Sequence, residues 1–288
     1  MRACAHLEIE TPKGVLLNAL LMGPKKPTRV IVWVHGLGSS LFSKLNIADA
    51  LVDKNTAVLA FNNRGHDNVS HIVSIKKKRG GFAGKAHEIF TECLDDIEGA
   101  VREARKMGAR DIYLAGHSTG AQKSIFWAAK KGDGIAGVIL LAPLSDYAGA
   151  LKSEGKKKIA RAEKAARMLV RKNKEHAFVP ENLWSEDVDA QRFLSLYTPE
   201  SIEQSIFPYF DPQRRPTLLK KVRQPVLVLI AADDEYADRP AENIEGWFAQ
   251  HLKTGDQIAI IPGATHGFRG EERIVARVMK KFIEMYSS

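Results

Sequence analysis

The sequence predicts an α/β protein in which a doubly wound, mostly parallel β-sheet is covered by helices on both faces. Three observations support this fold class: short continuous apolar runs, helical patterns that alternate with them, and one long segment without such a run. Continuous apolar strands are buried on both faces, which is typical of parallel sheets between helices. The alternation of strand and helix patterns favours the doubly wound arrangement.

Six apolar runs with strong β propensity carry the prediction of the sheet. They are residues 30–34, 57–61, 112–115, 138–141, 226–230 and 258–261. Residues 7–9 and 15–21 predict an opening hairpin around the turn residues 11–14, which include a proline and a glycine. Helical periodicity is clearest over residues 89–107, which Gly108 ends, and over residues 274–285 at the end of the sequence.

One segment interrupts the alternation. Between Asp146 and Val222 no buried strand is predicted, and this length is far beyond that of an ordinary βα connection. Helical patterns cover residues 155–174, 185–197 and 217–222 of it. We therefore predict a helical cap, residues 147–221, inserted after the sixth predicted strand, and a core formed by residues 1–146 and 222–288.

Composition excludes several classes of protein. With 44% apolar residues in 288, the chain can build a large core and is not a disordered protein. Cys4 and Cys93 are too few for a disulfide framework or a four-cysteine zinc site, so we expect reduced thiols and a cytoplasmic location. No stretch approaches the roughly 18 apolar residues of a membrane span, and the first residues lack the apolar region of a signal peptide.

Positive charge is concentrated in the predicted cap. The formal net charge of the chain is +9, and residues 148–180 contain ten Lys or Arg against three Glu, a local balance of +7. One interpretation is an amphipathic cap helix with a solvated basic face, and the other is attraction to an anionic substrate or surface. Nucleic acid is not expected as a partner, because no aromatic interleaving accompanies the charge. The apolar stripe beneath the charges would be Ile159, Ala162, Ala166, Leu169 and Val170.

A G-x-S-x-G motif connects a predicted strand, residues 112–115, to a predicted helix, residues 121–130. In this tight turn a side chain at Gly116 or Gly120 would strike the neighbouring strand or helix. The strained turn would present the hydroxyl of Ser118 above the sheet, where the start of the helix adds positive potential.

With this motif and four others in the same order, the sequence resembles the α/β-hydrolase superfamily over nearly its whole length. Residues 61–67 resemble the family's RGxG loop, although His66 and Asp67 depart from its second glycine. A narrower likeness, to a group of little-characterised hydrolases and fungal siderophore esterases, rests on residues 62–67, 116–122 and 192–196. The five family segments are residues 33–38, 61–67, 116–120, 231–236 and 262–268.

The resemblance implies a role for each site residue. Ser118 would be the nucleophile, His266 the base that accepts its proton, and Asp234 the acid that orients the imidazole. The backbone N–H groups of Leu37 and Thr119 would form the oxyanion hole. This chemistry needs no metal and no organic cofactor, so we expect neither.

The identity of the acid is left open by the residues themselves. Asp234 has the register that the family uses, but Asp233 is adjacent and only one of the two can point inward. Asp146, after the strand at residues 138–141, is a third candidate, because some relatives take their acid from that strand. It could instead be the N-cap of the first cap helix.

The sequence gives less reason to assign a catalytic role to the other histidines. His35 and His117 flank the motifs, and we expect them to hydrogen-bond the backbone locally. The remaining histidines have no matching context: His6, His71, His87, His176 and His251.

The expected activity is hydrolysis of small-molecule carboxylic esters through an acyl-enzyme. The same triad could serve thioesters, amides or acyl transfer, and a non-catalytic binding protein with this fold is the alternative from another class. A homo-oligomer is compatible with the sequence.

Overall fold

The computed structural model describes residues 3–76 and 79–287. A basic run at residues 76–79 predicts a solvated turn, but two of its members, Lys77 and Lys78, lie outside the described residues. None of the helices within these ranges is both long and apolar enough to cross a membrane.

Over the described residues the sheet has ten strands. They are β1 Cys4–Glu10, β2 Val15–Met22, β3 Arg29–Val34, β4 Thr56–Phe61, β5 Ser70–Ser74, β6 Arg79–Ala83, β7 Asp111–His117, β8 Gly137–Leu141, β9 Val226–Ala231 and β10 Gln257–Ile261. Their order in the sheet is β10-β9-β8-β7-β3-β4-β2-β5-β6, with β1 paired to β2. Five neighbouring pairs, from β4 through β3, β7, β8 and β9 to β10, are parallel, and the rest are antiparallel.

All six predicted runs lie in strands of the parallel part, and the opening hairpin is present as β1 and β2. The hairpin of β5 and β6 was not predicted. Its strands are short and lie at the edge of the sheet, and β5 alternates between half-buried and exposed residues. Such strands lack the continuous apolar run that marks a strand buried on both faces.

Helices cover both faces of the sheet. They are α1 Leu45–Leu51, α2 Cys93–Lys106, α3 Thr119–Lys130, α4 Asp146–Ser153, α5 Lys156–Arg171, α6 Ala190–Tyr197, α7 Ala241–His251 and α8 Glu272–Tyr286. One buried cluster joins one face of the sheet to α2, α3 and α7, and a second joins the other face to α1 and α8. The doubly wound arrangement is therefore confirmed.

Helices α4, α5 and α6 lie between β8 and β9, in a segment that we call the insertion (residues 142–225). The unpredicted hairpin makes β8 the eighth strand in chain order rather than the sixth, although the insertion follows the same apolar run. The prediction of a helix over 185–197 was too long, because Asp189 caps α6 and the helix begins at Ala190. The predicted helix over 217–222 is only a 3-10 turn, Leu219–Lys221.

The insertion has its own apolar cluster, centred on α5 and α6. On α5 the residues Ile159, Ala162 and Ala166 are buried as expected, whereas Val170 is 37% exposed near the end of the helix. Leu37, which follows β3 in the core, packs against this cluster. The insertion therefore contacts the loop that is expected to carry the oxyanion hole.

Candidate active site

Ser118 occupies a sharp turn between β7 and α3. Its backbone has φ 55° and ψ −127°, a conformation that costs a non-glycine residue energy and is often found at functional sites. A Cβ at Gly116 would lie 2.2 Å from the carbonyl oxygen of Gly120, and a Cβ at Gly120 would lie 2.2 Å from that of Val34. The two glycines are thus required by the close approach of backbone to backbone.

Asp234 and His266 meet at the carboxyl ends of β9 and β10. The imidazole Nδ1–H of His266 donates to Asp234 Oδ2 at 2.8 Å, and the N–H of Tyr236 donates to Asp234 Oδ1 at 3.0 Å. The side chain of Asp234 is 3% exposed. Both carboxylate oxygens are therefore engaged, and one of them fixes the orientation and tautomer of the imidazole.

The other two candidate acids do not contact His266. Asp233 is exposed, and its backbone N–H donates to Ala264 O at 2.8 Å. Asp146 accepts hydrogen bonds from Gln122 Nε2 at 3.2 Å and Gln204 Nε2 at 3.4 Å. Nor is Asp146 the N-cap of α4.

The N-cap of α4 is Ser145, because the Ser145 side chain accepts a hydrogen bond from the N–H of Ala148. Burial, reinforced by Glu203, raises the pKa of Asp146 to about 7.

Glu235 holds the backbone of His266. The N–H of His266 donates to Glu235 Oε2 at 2.9 Å. Partial burial opposes ionisation of this carboxyl, but that hydrogen bond and the nearby imidazole hold the pKa of Glu235 below its ordinary value. The residue after the candidate acid thus fixes the loop that carries the candidate base.

His117, directly before Ser118, holds the same loop from the other side. Its Nε2–H donates to the carbonyl oxygen of His266 at 2.8 Å, and the two rings lie 4.9 Å apart. Burial keeps the pKa of His117 well below its ordinary value, with His266 and Lys44 adding to the effect, so the ring is neutral. The expectation of a local backbone bond was wrong, because the acceptor lies 149 residues further along the chain.

The Ser118 hydroxyl has no hydrogen-bond partner among the described residues, His266 included. The hydrogen bond from His117 to the backbone of His266 brings the segment of Ser118 and the segment of His266 together. Nucleophile–base hydrogen bonds often form or tighten only when substrate is bound.

The loop after β3 passes directly over Ser118. A Cβ at Gly36 would lie 2.8 Å from the Cβ of Ser118, so only glycine fits there. Leu37 follows Gly36, and Thr119 is the first residue of α3, whose N–H has no partner within the helix. Within the described ranges no hydrogen bond uses either N–H. Both expected oxyanion donors therefore flank Ser118.

His35 fixes the start of this loop. The N–H of Asn63 donates to His35 Nε2 at 3.1 Å, so the ring proton is on Nδ1, which donates to Gly36 O at 2.8 Å. Burial, with the charge of Lys123 nearby, lowers the pKa of His35 to about 3, and the ring is neutral. The local backbone bond expected for His35 is confirmed.

The loop after β4 is held by a buried guanidinium. Arg64 forms ion pairs with Glu92, directly before α2, and with Asp95 and Asp96 in the first turn of that helix. Asp67, where the family pattern has its second glycine, adopts φ 56°, and its N–H donates to Ser39 O at 3.0 Å. An aspartate thus adopts a left-handed backbone conformation at this position, at the cost of some strain.

A buried ion network that includes Lys123 of α3 was not predicted. Glu88 pairs with Lys123 at 2.5 Å and with Arg192 at 2.9 Å, and Arg192 pairs with Glu203 at 2.6 Å. Although burial opposes ionisation, Lys123 and Arg192 hold the pKa of Glu88 below its ordinary value. Glu88 and Lys123 belong to the core and the other two residues to the insertion, so the network joins them. Charges that are far apart in sequence give no local pattern, which is why sequence reasoning missed it.

Comparison with known proteins places the chain in a family. The model of the alpha/beta hydrolase family matches residues 31–278. None of the curated proteins matches the chain. The chain belongs to the alpha/beta hydrolase family, and the expected α/β-hydrolase fold is confirmed.

Several solved structures share the fold. The siderophore hydrolase EstB from Aspergillus fumigatus is similar with a TM-score of 0.69 at 16% identity, over 100% of this chain and 98% of that one. Est1E from Butyrivibrio proteoclasticus, with ferulic acid bound, has a TM-score of 0.64 at 22% identity, over 97% of this chain and 98% of that one. The Pyrococcus furiosus esterase PF2001 has a TM-score of 0.64 at 16% identity, over 100% of this chain and 92% of that one.

Proposed function

We propose that this protein is a serine hydrolase that cleaves carboxylic esters through an acyl-enzyme. The observation that carries the proposal is the hydrogen-bonded, part-buried Asp234–His266 pair, held beside a serine whose backbone is strained into the turn between β7 and α3. A strained serine, an oriented imidazole and unused backbone N–H groups serve acyl transfer together. An ordinary tight turn would need none of them.

In the first half-reaction Ser118 Oγ attacks the ester carbonyl while His266 Nε2 accepts its proton. The N–H groups of Leu37 and Thr119 stabilise the oxyanion of the tetrahedral intermediate. Collapse of that intermediate breaks the C–O bond, and His266 returns the proton to the leaving alkoxide. Asp234 stabilises the imidazolium throughout. In the second half-reaction water attacks the acyl-enzyme by the same route and releases the acid.

The contact of the insertion with Leu37 supports a role in substrate selection, since it places apolar side chains of the insertion against the proposed oxyanion loop. The names of the structural neighbours suggest the first esters to test: siderophore esters, after EstB, and feruloyl esters, after Est1E. Ester cleavage is the primary proposal. Thioester cleavage, amide cleavage and acyl transfer by the same residues are its alternatives.

A fluorophosphonate probe tests the proposal, because it reacts only with an activated serine. Wild-type protein should be labelled, and Ser118→Ala should not be. The same variant should lose about 10⁴–10⁶ in kcat on a p-nitrophenyl ester. Ser153→Ala, at an exposed position of α4, is the matched control and should behave as wild type. Near-normal turnover by Ser118→Ala would refute the mechanism.

A panel of p-nitrophenyl esters of different acyl length, with thioester and amide analogues, then tests the substrate class. If the protein is an ester hydrolase, kcat/KM should be higher on an ester than on the thioester and amide analogues. The ester proposal is wrong if a thioester or amide of the same acyl group is preferred. If neither labelling nor turnover is seen, the binding-protein alternative gains support.

A further inference from the structure

Two histidines and an aspartate, none of them part of a sequence motif, meet beside the ion network. His87 Nδ1 and His176 Nδ1 each lie 3.0 Å from Asp189 Oδ2. One atom from each of the three side chains lies within 4.8 Å of the others. Neither histidine had a matching context in the sequence, because the three residues come from three separate segments.

This donor set fits a transition-metal ion. Zinc in proteins takes histidine nitrogens and carboxylate oxygens at about 2.0–2.2 Å, so neighbouring ligand atoms of a tetrahedral site are about 3.3 Å apart. The two 3.0 Å separations are close to that spacing, and small side-chain rotations would adjust them. Mg²⁺ and Ca²⁺ prefer ligand sets made of oxygen alone, which this is not.

The three proposed ligand side chains differ in how deeply they are buried. Asp189 is fully buried, and its other oxygen, Oδ1, accepts the N–H of Arg192 at the start of α6, which fixes the carboxylate. The ring of His87 lies 6.0 Å from that of Phe82 and 5.1 Å from that of Phe178. The side chain of His176 is 59% exposed, so an ion can reach the site from solvent.

The cluster also borders a cavity and spans two parts of the fold. His87 belongs to the core, whereas His176 and Asp189 belong to the insertion. Both histidines line a cavity of about 650 Å³ with largely apolar walls that include Phe82, Ile89 and Phe178. An ion with three protein ligands keeps a coordination position for water or a small ligand, as zinc does in open sites.

We propose that His87, His176 and Asp189 form a binding site for a divalent transition-metal ion, best matched by Zn²⁺, which ties the insertion to the core. The proposal is independent of the ester-hydrolase proposal, because none of its ligands belongs to the candidate active site. It adds a metal site to a chain in which the sequence led us to expect none.

Titration of tag-free, chelator-treated protein with Zn²⁺ alone tests the site, by calorimetry and by thermal unfolding. Binding should approach one ion per chain at this site. At a hundredfold excess over the Kd, the Tm should rise by about 4–8 °C. His176→Ala should weaken this binding by at least about tenfold and remove most of the rise in Tm, because it deletes a ligand. The exposed position of His176 makes this variant compatible with folding.

Two further variants separate a metal site from its alternatives. Asp189→Asn keeps an oxygen to cap α6 but lacks the charge, so it should also bind Zn²⁺ more weakly. His71→Ala removes an exposed histidine whose ring lies 4.9 Å from Phe82 but which is outside the cluster, and it should bind as wild type. The proposal is overturned if wild type does not bind at about 100 µM Zn²⁺, if binding survives His176→Ala, or if His71→Ala weakens it equally. In those cases the cluster is only a pair of His–Asp hydrogen bonds.

Discussion

Three aspartates that the sequence offers as the catalytic acid lie in three different environments. Asp234 is buried against His266 with both oxygens hydrogen-bonded. Its neighbour Asp233 is exposed, and Asp146 is buried against two glutamine amides with its pKa raised to about 7. At the scale of the residue, the direction of the side chain and its surroundings decide what a carboxyl group can do.

Asp234→Asn should lower kcat on an ester by about 10³–10⁴, because the amide favours the wrong imidazole tautomer and cannot stabilise the imidazolium. Asp233→Asn, one residue away and exposed, is the control and should keep kcat within a few-fold of wild type. Steady-state kinetics on one p-nitrophenyl ester compares them. Equal losses of kcat in the two variants would show that Asp234 is not the acid.

Asp146 should affect the pH dependence of stability instead of turnover. Its pKa is raised from 3.8 to about 7, so the folded protein keeps a proton that the unfolded chain releases between those values. The contribution of this group to the free energy of unfolding therefore falls as pH rises through that window. Asp146→Asn lacks the titration, so its stability relative to wild type should increase by about 2–4 kcal/mol between about pH 4.5 and about pH 8.

Urea unfolding at the two pH values measures this difference. A difference between variant and wild type that does not change with pH would contradict the assignment. The kcat of Asp146→Asn should stay within about tenfold of wild type, far above that of Asp234→Asn.

At the scale of the element, the turn between β7 and α3 is shaped by what surrounds it. The helix begins so close to β3 that the carbonyl oxygen of Val34 occupies the space of a Cβ at Gly120. The loop after β3 likewise leaves no room for a Cβ at Gly36 over Ser118. The motif is therefore a packing requirement among two strands, a helix and a loop.

Gly120→Ala should lower the free energy of unfolding by about 2–4 kcal/mol, since backbone must move to admit the methyl group. Gly246→Ala is the matched control, because Gly246 lies inside α7 with nothing within 4 Å of its Cβ position. There alanine should stabilise the protein by about 0.5–1 kcal/mol through helix propensity. Denaturant unfolding of both variants checks the prediction, which fails if Gly120→Ala is as stable as wild type.

At the scale of the whole molecule, the insertion is joined to the core by buried charge as well as by apolar contact. Arg192 of α6 lies between Glu88 of the core and Glu203 of the insertion, and all three side chains are almost fully buried. A buried ion pair adds little net stability over an apolar replacement of both partners, but removal of one partner leaves the other charge without compensation.

Arg192→Met should therefore destabilise the protein by about 3–5 kcal/mol, even though methionine fills much of the same volume. Arg167→Met removes an arginine that pairs with Glu163 on the solvent face of α5, and it should cost less than about 1 kcal/mol. Thermal and urea unfolding compare the two. Similar small losses in both would show that the network does not hold the insertion in place.

Much of this fold was predictable because its signals are local. The six parallel strands lie in continuous apolar runs, and the G-x-S-x-G turn is defined by glycines two residues from its serine. The hairpin of β5 and β6 escaped prediction because an edge strand with one exposed face has no such run. Helix α6 was predicted to begin too early, since the interaction of Asp189 with Arg192 sets its first turn.

The sequence by itself determined the order of the six parallel strands along the chain, the place of the long insertion and the turn that exposes Ser118. Only the tertiary structure decided which aspartate meets His266, that His117 holds the His266 loop, and that the ion network and the His87, His176 and Asp189 cluster exist. Hydrophobic periodicity and turn chemistry act between near neighbours in the chain, so they can be read from the sequence. Hydrogen bonds and ion pairs between distant segments depend on where the fold brings those segments and on which way each side chain then points.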